Sequence, residues 1–150
     1  MMSGIRGKNT KPELLIRHRL FALGFRYRLH VRDLPGKPDL VFPKYKAVVF
    51  VNGCFWHGHD CHLFKWPNTN TEFWKDKIHN NISNDSKNTD QLLALDWRVF
   101  KVWECSMKNR LRYVDEVISS IVKWLLSDEA TGECQAQQTR TKVSVNLSLE

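Results

Sequence analysis

The most constraining feature of this sequence is a short string of metal-ligand residues that follows a buried apolar run. The string Cys54-Phe-Trp-His57-Gly-His59-Asp-Cys61 carries two cysteines and two histidines. Structural zinc takes four nitrogen or sulfur ligands in a tetrahedron, and close spacing of cysteines with histidines is typical of such sites. The two cysteines and one histidine of this string still need a partner, so the fold must bring a distant residue to the loop.

Two apolar runs on either side of a long helical stretch bring a third cysteine to that string. Residues 47–51 form a β-branched run, and residues 97–103 form a second run that ends just before Cys105. A strand, a helical crossover and another buried strand form a parallel βαβ unit, in which both strands end at the same edge of the sheet. We therefore predict a structural zinc site from three cysteines and one of three competing histidines: Cys54, Cys61 and Cys105, with His57, His59 or His62.

The remaining patterns predict an α/β fold. Thr10 and Glu13 have capping-box spacing, ahead of a helix that closes at Gly24. Residues 25–32 alternate between apolar and basic side chains, the pattern of a half-buried strand whose polar face includes His30. The further predicted elements are a strand at 39–42, a helix from Thr71 that residues 80–88 could interrupt, and a helix at 110–126.

The composition becomes polar after Leu126. We predict a single compact domain over residues 1–126 and a flexible tail over residues 127–150, in which residues 143–149 could add an edge strand. Cys134 lies in this tail and is predicted to be a plain free thiol.

Charge and composition favour a polyanionic partner. The net charge of +7 and the isoelectric point near 9.4 suit contact with phosphates. We see no signal-peptide pattern and no run of about 20 apolar residues, the length that spans a bilayer. The expected setting is therefore the cytoplasm, where reduced cysteines favour metal binding over disulfides.

Asp39 directly follows Pro38, at the start of a predicted strand. A carboxylate at a strand end can hold a hard cation such as Mg²⁺ together with backbone carbonyls. The histidine-rich loop nearby strengthens this interpretation, since a Pro-Asp pair alone also occurs in many turns.

Large aromatic residues are concentrated in and after the cysteine loop. They could pack beneath the zinc loop, or they could form a wedge that unstacks DNA at a weakened step. For Trp66 we favour packing. The residues concerned are Phe55, Trp56, Trp66, Phe73 and Trp74.

Four motifs, in order and with matching gaps, resemble the very-short-patch mismatch repair endonuclease family. They are Leu34-Pro-Gly-Lys-Pro-Asp39-Leu, the string from Val49 through Cys61, Thr71-Glu-Phe-Trp74, and Trp97-Arg-Val followed by Val102-Trp-Glu-Cys105. Together they cover roughly residues 7–126, and the combination is highly specific.

The resemblance implies a restriction-endonuclease-like fold, with a mixed central sheet flanked by helices. It also implies Mg²⁺-dependent nicking of double-stranded DNA on the 5′ side of the thymine in a T:G mismatch. Asp39 and the main-chain carbonyl of Val51 would bind Mg²⁺. His57 would be the catalytic histidine, and Glu13 would support the metal site through water. The zinc ligands would be Cys54, His59, Cys61 and Cys105, and the aromatics inserted into DNA would be Phe55, Trp56 and Trp74.

One departure from the family pattern affects the mechanism. Asn52 stands where the best-described member of the family has a second active-site histidine, directly before the Gly-Cys-Phe-Trp string. An amide can hydrogen-bond to phosphate or water but cannot exchange a proton near pH 7. His57 or a metal-bound water would have to move the proton.

Three other functions remain as alternatives. The first is a restriction-type nuclease of similar fold, and the second is a catalytically silent protein that binds distorted DNA. The third is a protein-interaction zinc finger, which the position of the zinc ligands between strands of one core argues against. We expect a monomer on DNA, with other repair proteins as candidate partners.

Overall fold

A five-stranded mixed sheet organises the part of the chain that the structure, a computed structural model, describes: residues 11–62, 64–107 and 111–135. The helices are α1 (Lys11–Ala22), α2 (Thr71–Ala94) and α3 (Leu111–Leu125). The strands are β1 (Arg28–Leu29), β2 (Leu40–Phe42), β3 (Ala47–Asn52), β4 (Arg98–Trp103) and β5 (Thr131–Cys134). No helix in these ranges is both long enough and apolar enough to span a membrane.

The five strands lie in the sheet in chain order. Strands β1, β2 and β3 pair antiparallel, whereas β3, β4 and β5 pair parallel. In the β3–β4 pair, Asn52 lies opposite Trp103, so both strands end at the same edge. The predicted parallel βαβ unit is confirmed, and it brings Cys54 and Cys105 together.

Helices cover both faces of the sheet. Side chains along each strand point alternately to the two faces, and apolar residues lie on both. Helices α1 and α3 pack on one face, and α2 packs on the other. The mixed sheet flanked by helices is therefore confirmed. The first face includes Ile16, Leu20, Leu40, Phe42, Val49, Val117 and Ile121, and the second includes Val41, Val48, Leu92 and Val99.

Two predicted elements differ in extent. The strand predicted at 25–32 is reduced to Arg28–Leu29, the two residues that pair with β2. Tyr27, directly before it, donates its hydroxyl hydrogen to the Arg17 carbonyl at 2.8 Å. Helix α2 continues through residues 80–88 without the predicted interruption. Asn81 in this stretch donates to the Trp56 carbonyl at 2.9 Å, so a polar helix face is used to hold the cysteine loop. Thr10 lies outside the described residues.

Strand β5 extends the sheet past Leu126, into the segment predicted to be a flexible tail. It pairs with β4, and Gly132 lets the two strands pack closely. A Cβ at this glycine would lie 2.5 Å from Phe100 Cδ2. For Thr131–Cys134 the tail prediction is wrong, because this glycine and the half-buried Cys134 fit against the core. The edge strand predicted at 143–149 lies outside the described residues.

Candidate active site and metal centre

Three cysteines and one histidine converge at the edge where β3 and β4 end. The ligand atoms of all four residues lie within 4.8 Å of one another. Cys105 Sγ is 3.7 Å from His59 Nδ1, which matches the roughly 3.7 Å edge of a tetrahedron built from zinc–ligand bonds of about 2.1–2.3 Å. Of the three competing histidines, the structure brings His59 into this cluster. The members are Cys54, His59, Cys61 and Cys105.

The chemistry of this donor set fits zinc. Burial raises the pKa of the Cys54 thiol well above its ordinary value, so the thiol stays neutral unless a bound cation stabilises the thiolate. Soft sulfur ligands with one imidazole are the set that structural zinc prefers.

The neighbours of His59 orient its ring. The indole of Trp103 stacks on it, with ring centroids 4.1 Å apart and an angle of 7° between the planes. His59 Nε2 lies 2.8 Å from Gln135 Oε1, so Nε2–H can donate while Nδ1 faces the sulfur atoms. Metal-bound histidines commonly make such a second contact, which fixes ring orientation and tautomer.

A second cluster combines two carboxylates with an imidazole. Donor atoms of Glu13, His30 and Asp39 lie within 4.8 Å of one another. Glu13 Oε2 is 2.6 Å from His30 Nε2 and 3.4 Å from an Arg17 guanidinium nitrogen. Only 1% of Glu13 is exposed, although it lies on the first helical turn of α1. A buried carboxylate is costly unless it is paired or binds a cation.

Asp39 is a partly desolvated acid that directly precedes β2. Its pKa is raised to about 6, mainly by burial; a hydrogen bond from the Val51 amide opposes the shift, and the nearby Glu13 carboxylate adds to it. That amide donates to Asp39 Oδ2 at 2.7 Å. A divalent cation between the two carboxylates would offset their repulsion, so these residues fit a catalytic metal.

His57 lies beside this cluster and has a carboxylate partner on α2. Its Nδ1 is 2.5 Å from Asp85 Oδ2, and the charge of His57 also lowers the pKa of Asp39. An ionised carboxylate can only accept a hydrogen bond, so Nδ1 carries the hydrogen and Nε2 is left for other chemistry. This pairing orients His57 as a base or an acid.

Val51 and Asn52 connect the two clusters through the chain. Val51 precedes the buried Asn52 at the end of β3, and Cys54 follows two positions later. Asp39 contacts the amide of Val51, and the role predicted for the Val51 carbonyl stays a prediction. The role predicted for Asn52 also stays a prediction.

Aromatic rings form one contiguous patch, here called the aromatic patch, between the cysteine loop and the start of α2. Phe55 contacts both Trp56 and Trp74 with centroid distances of 5.4 Å, and Trp56 lies 5.7 Å from Trp74. These three rings are only partly buried, and the adjoining Phe73 is 58% exposed. Trp66 packs edge-on against Phe64 and keeps 39% exposure, so it is partly packed.

Comparisons with known proteins identify the family of this chain. The family described as DNA mismatch endonuclease Vsr matches residues 1–63. The DNA mismatch endonuclease Vsr of Escherichia coli K12 is 37% identical over 91% of this chain and 88% of its own length. This chain belongs to the Vsr family. Two type II nicking enzymes are also similar: V.NmeAIP of Neisseria meningitidis, 48% identical over 73% of this chain and 79% of its own, and V.XorIIP of Xanthomonas oryzae, 44% identical over 73% and 80%.

As a Vsr-family member, the chain is an endodeoxyribonuclease. The structure brings together the predicted residues Glu13 and Asp39, and it adds two that the sequence analysis did not single out. His30 was assigned to the outer face of a strand, and Asp85 to a stretch that could interrupt a helix. One signal could have indicated Asp85: a catalytic histidine commonly has a carboxylate that orients it.

Proposed function

We propose that this Vsr-family endonuclease nicks double-stranded DNA at T:G mismatches, cutting the phosphodiester on the 5′ side of the thymine. The cofactors in this proposal are catalytic Mg²⁺ and structural Zn²⁺. The enzyme works as a monomer in the cytoplasm, and its fold is restriction-endonuclease-like.

One observation carries this proposal: Glu13 and Asp39 face each other in a desolvated cluster, beside a histidine that a carboxylate orients. Phosphodiester hydrolysis needs charge stabilisation at phosphate and proton transfer to or from water. The carboxylate cluster provides the first function through a metal, and the His57–Asp85 pair provides the second.

Each residue of the site has a defined task in this mechanism. Asp39 and Glu13 hold the metal, because their donor atoms lie close enough together for Glu13 to bind it directly, where the resemblance implies support through water. The Val51 amide fixes the orientation of the Asp39 carboxylate. A strand residue turns its N–H and its C=O to the same side, which supports the Val51 carbonyl as a further metal ligand. When bound, Mg²⁺ supplies Lewis-acid stabilisation of phosphate charge and lowers the pKa of water.

His57 moves the proton. Asp85 holds Nδ1–H, so Nε2 is the atom that takes a proton from the attacking water or returns one to the leaving oxygen. Asn52 cannot take part in this transfer, and its amide hydrogen-bonds to phosphate or water instead.

Recognition relies on the aromatic patch and on positive charge. Phe55, Trp56 and Trp74 present partly exposed rings that can enter a base step already weakened by a mismatch. The excess of lysine and arginine attracts the DNA backbone without reading its sequence.

The experiment is nicking of end-labelled duplexes with Mg²⁺, in which a duplex with one T:G mismatch is compared with its fully paired counterpart. Asp39→Asn removes the metal-binding charge, and Asp33→Asn is the matched control because Asp33 is exposed in the preceding loop. We expect one nick, 5′ of the thymine, that is lost in Asp39→Asn and kept in Asp33→Asn.

Other outcomes would replace the proposal with a defined alternative. Cutting of both duplexes at one sequence would indicate a restriction-type nuclease. Tight binding of the mismatch without cutting would indicate a silent DNA-distortion binder.

A further inference from the structure

His30 lies inside the carboxylate cluster of the metal site. Its Nε2 is 2.6 Å from Glu13 Oε2. One ligand atom from each of His30, Glu13 and Asp39 lies within 4.8 Å of the other two. Only 22% of its side chain is exposed. The imidazole therefore lies close enough to both carboxylates for one cation to bind all three groups.

The backbone holds His30 at this position. The residue directly follows β1, and its amide donates to the Asp39 carbonyl at 3.2 Å, which extends the β1–β2 ladder by one bond. His30 also has a φ of 49°, in the left-handed region that few residues other than glycine adopt. Two independent features thus fix His30 beside Asp39: a ladder hydrogen bond and an unusual backbone conformation.

We propose that His30 Nε2 is a direct ligand of the catalytic divalent cation, alongside Glu13 and Asp39. This proposal rests on the proposed function, since it concerns the same metal site. Two carboxylates and one imidazole form a mixed oxygen and nitrogen set. Mg²⁺ prefers oxygen ligands alone, whereas transition-metal ions, Co²⁺ strongly and Mn²⁺ to a smaller extent, bind more tightly when an imidazole is present.

The donor set therefore determines metal selectivity. The intact site favours Mn²⁺ or Co²⁺ over Mg²⁺, and loss of the imidazole reduces that preference. We expect His30→Gln to weaken Mn²⁺ and Co²⁺ binding by roughly tenfold or more, because even changes outside the ligand shell cost about 10–100-fold in metal affinity. Mg²⁺ affinity falls less, since glutamine can still offer an oxygen.

An activity assay does not distinguish metal binding by His30 from a structural role in which His30 only hydrogen-bonds to Glu13. A measurement on the bound ion is therefore needed. Pulsed electron paramagnetic resonance of Mn²⁺ bound to the zinc-loaded protein detects a nitrogen nucleus bonded to the ion. We expect nitrogen coupling in the wild type, loss of it in His30→Gln, and retention in His18→Gln and His57→Ala. His18 is the matched control, because it is an exposed histidine on α1.

The wild-type spectrum alone can overturn the proposal, so the test survives a variant that does not fold. Absence of nitrogen coupling in wild-type protein with Mn²⁺ bound, or its persistence in folded His30→Gln, refutes ligation by His30. Mismatch nicking without nitrogen coupling would refute this inference and leave the proposed function standing. Nitrogen coupling in a protein that nicks no DNA would support the metal site and refute the proposed function.

Discussion

Replacing Asp39 with asparagine is expected to stabilise the Mg²⁺-free protein near neutral pH. In the folded protein, burial raises the pKa of Asp39 from its ordinary value of 3.8 to about 6. The folded state therefore disfavours the ionised carboxylate. The free energy of unfolding is lower whenever Asp39 has lost its proton. Asparagine keeps an oxygen for the Val51 amide but carries no charge.

The sign and size of the effect follow from proton linkage. Between the two pKa values the folded state keeps a proton that the unfolded state has lost, so the free energy of unfolding falls as the pH rises. A pKa raised from 3.8 to about 6 corresponds to about 3 kcal/mol over the full range. About 1.4 kcal/mol of this falls between pH 5 and pH 8.

Urea unfolding at pH 5 and pH 8 measures the effect, in buffers without Mg²⁺ and without a chelator that removes zinc. The free energy of unfolding of Asp39→Asn minus that of the wild type should increase by about 1.4 kcal/mol between these two values. A difference that does not change with pH, or that shrinks as the pH rises, would refute the reasoning.

Added Mg²⁺ provides the complementary measurement at pH 8. A ligand that binds only the folded state stabilises it by mass action. Wild-type protein should gain stability with Mg²⁺, and Asp39→Asn should gain much less.

Three further predictions concern zinc, the orientation of His57 and a close contact in the cysteine loop. Cys105→Ser should lose bound zinc and melt at a lower temperature, whereas Cys134→Ser keeps its zinc, as metal analysis and thermal unfolding can check. Asp85→Asn should reduce the nicking rate by about 10²-fold or more with little change in DNA affinity, and an equal loss of both would contradict its role in orienting His57. Gly58→Ala should cost about 1–3 kcal/mol, because its Cβ would lie 2.6 Å from Ile82 Cδ1, while Gly24→Ala has open space and tests backbone strain alone.

The cysteine and histidine cluster could be predicted from the sequence because one feature of the topology brings its residues together. Parallel pairing of β3 with β4 was predicted from two apolar runs and a helical crossover, and it places Cys105 beside Cys54. Choosing His59 over its neighbours required the path of the loop, which periodicity does not contain. In this sequence that choice came from the family resemblance.

Two residues of the candidate active site, His30 and Asp85, could not be predicted in the same way. Alternation along residues 25–32 indicated an outward His30, but the strand ends at Leu29 and the next residue adopts a left-handed backbone. Asp85 lies in an Asn-rich stretch with weak helical signal, and its helix is stabilised by contact with the cysteine loop. Both positions depend on tertiary contacts that override local propensity.

The chain passes from Val51, whose amide holds Asp39, to Cys54 of the cysteine cluster within three positions, at the end of β3. A molecule without zinc should therefore lose the geometry of its reaction centre. We expect it to be inactive, and not an enzyme that works at a lower rate. A partly loaded preparation would then be a mixture of competent and inert molecules. Its specific activity would measure zinc occupancy, while the Michaelis constant of the competent fraction stayed unchanged.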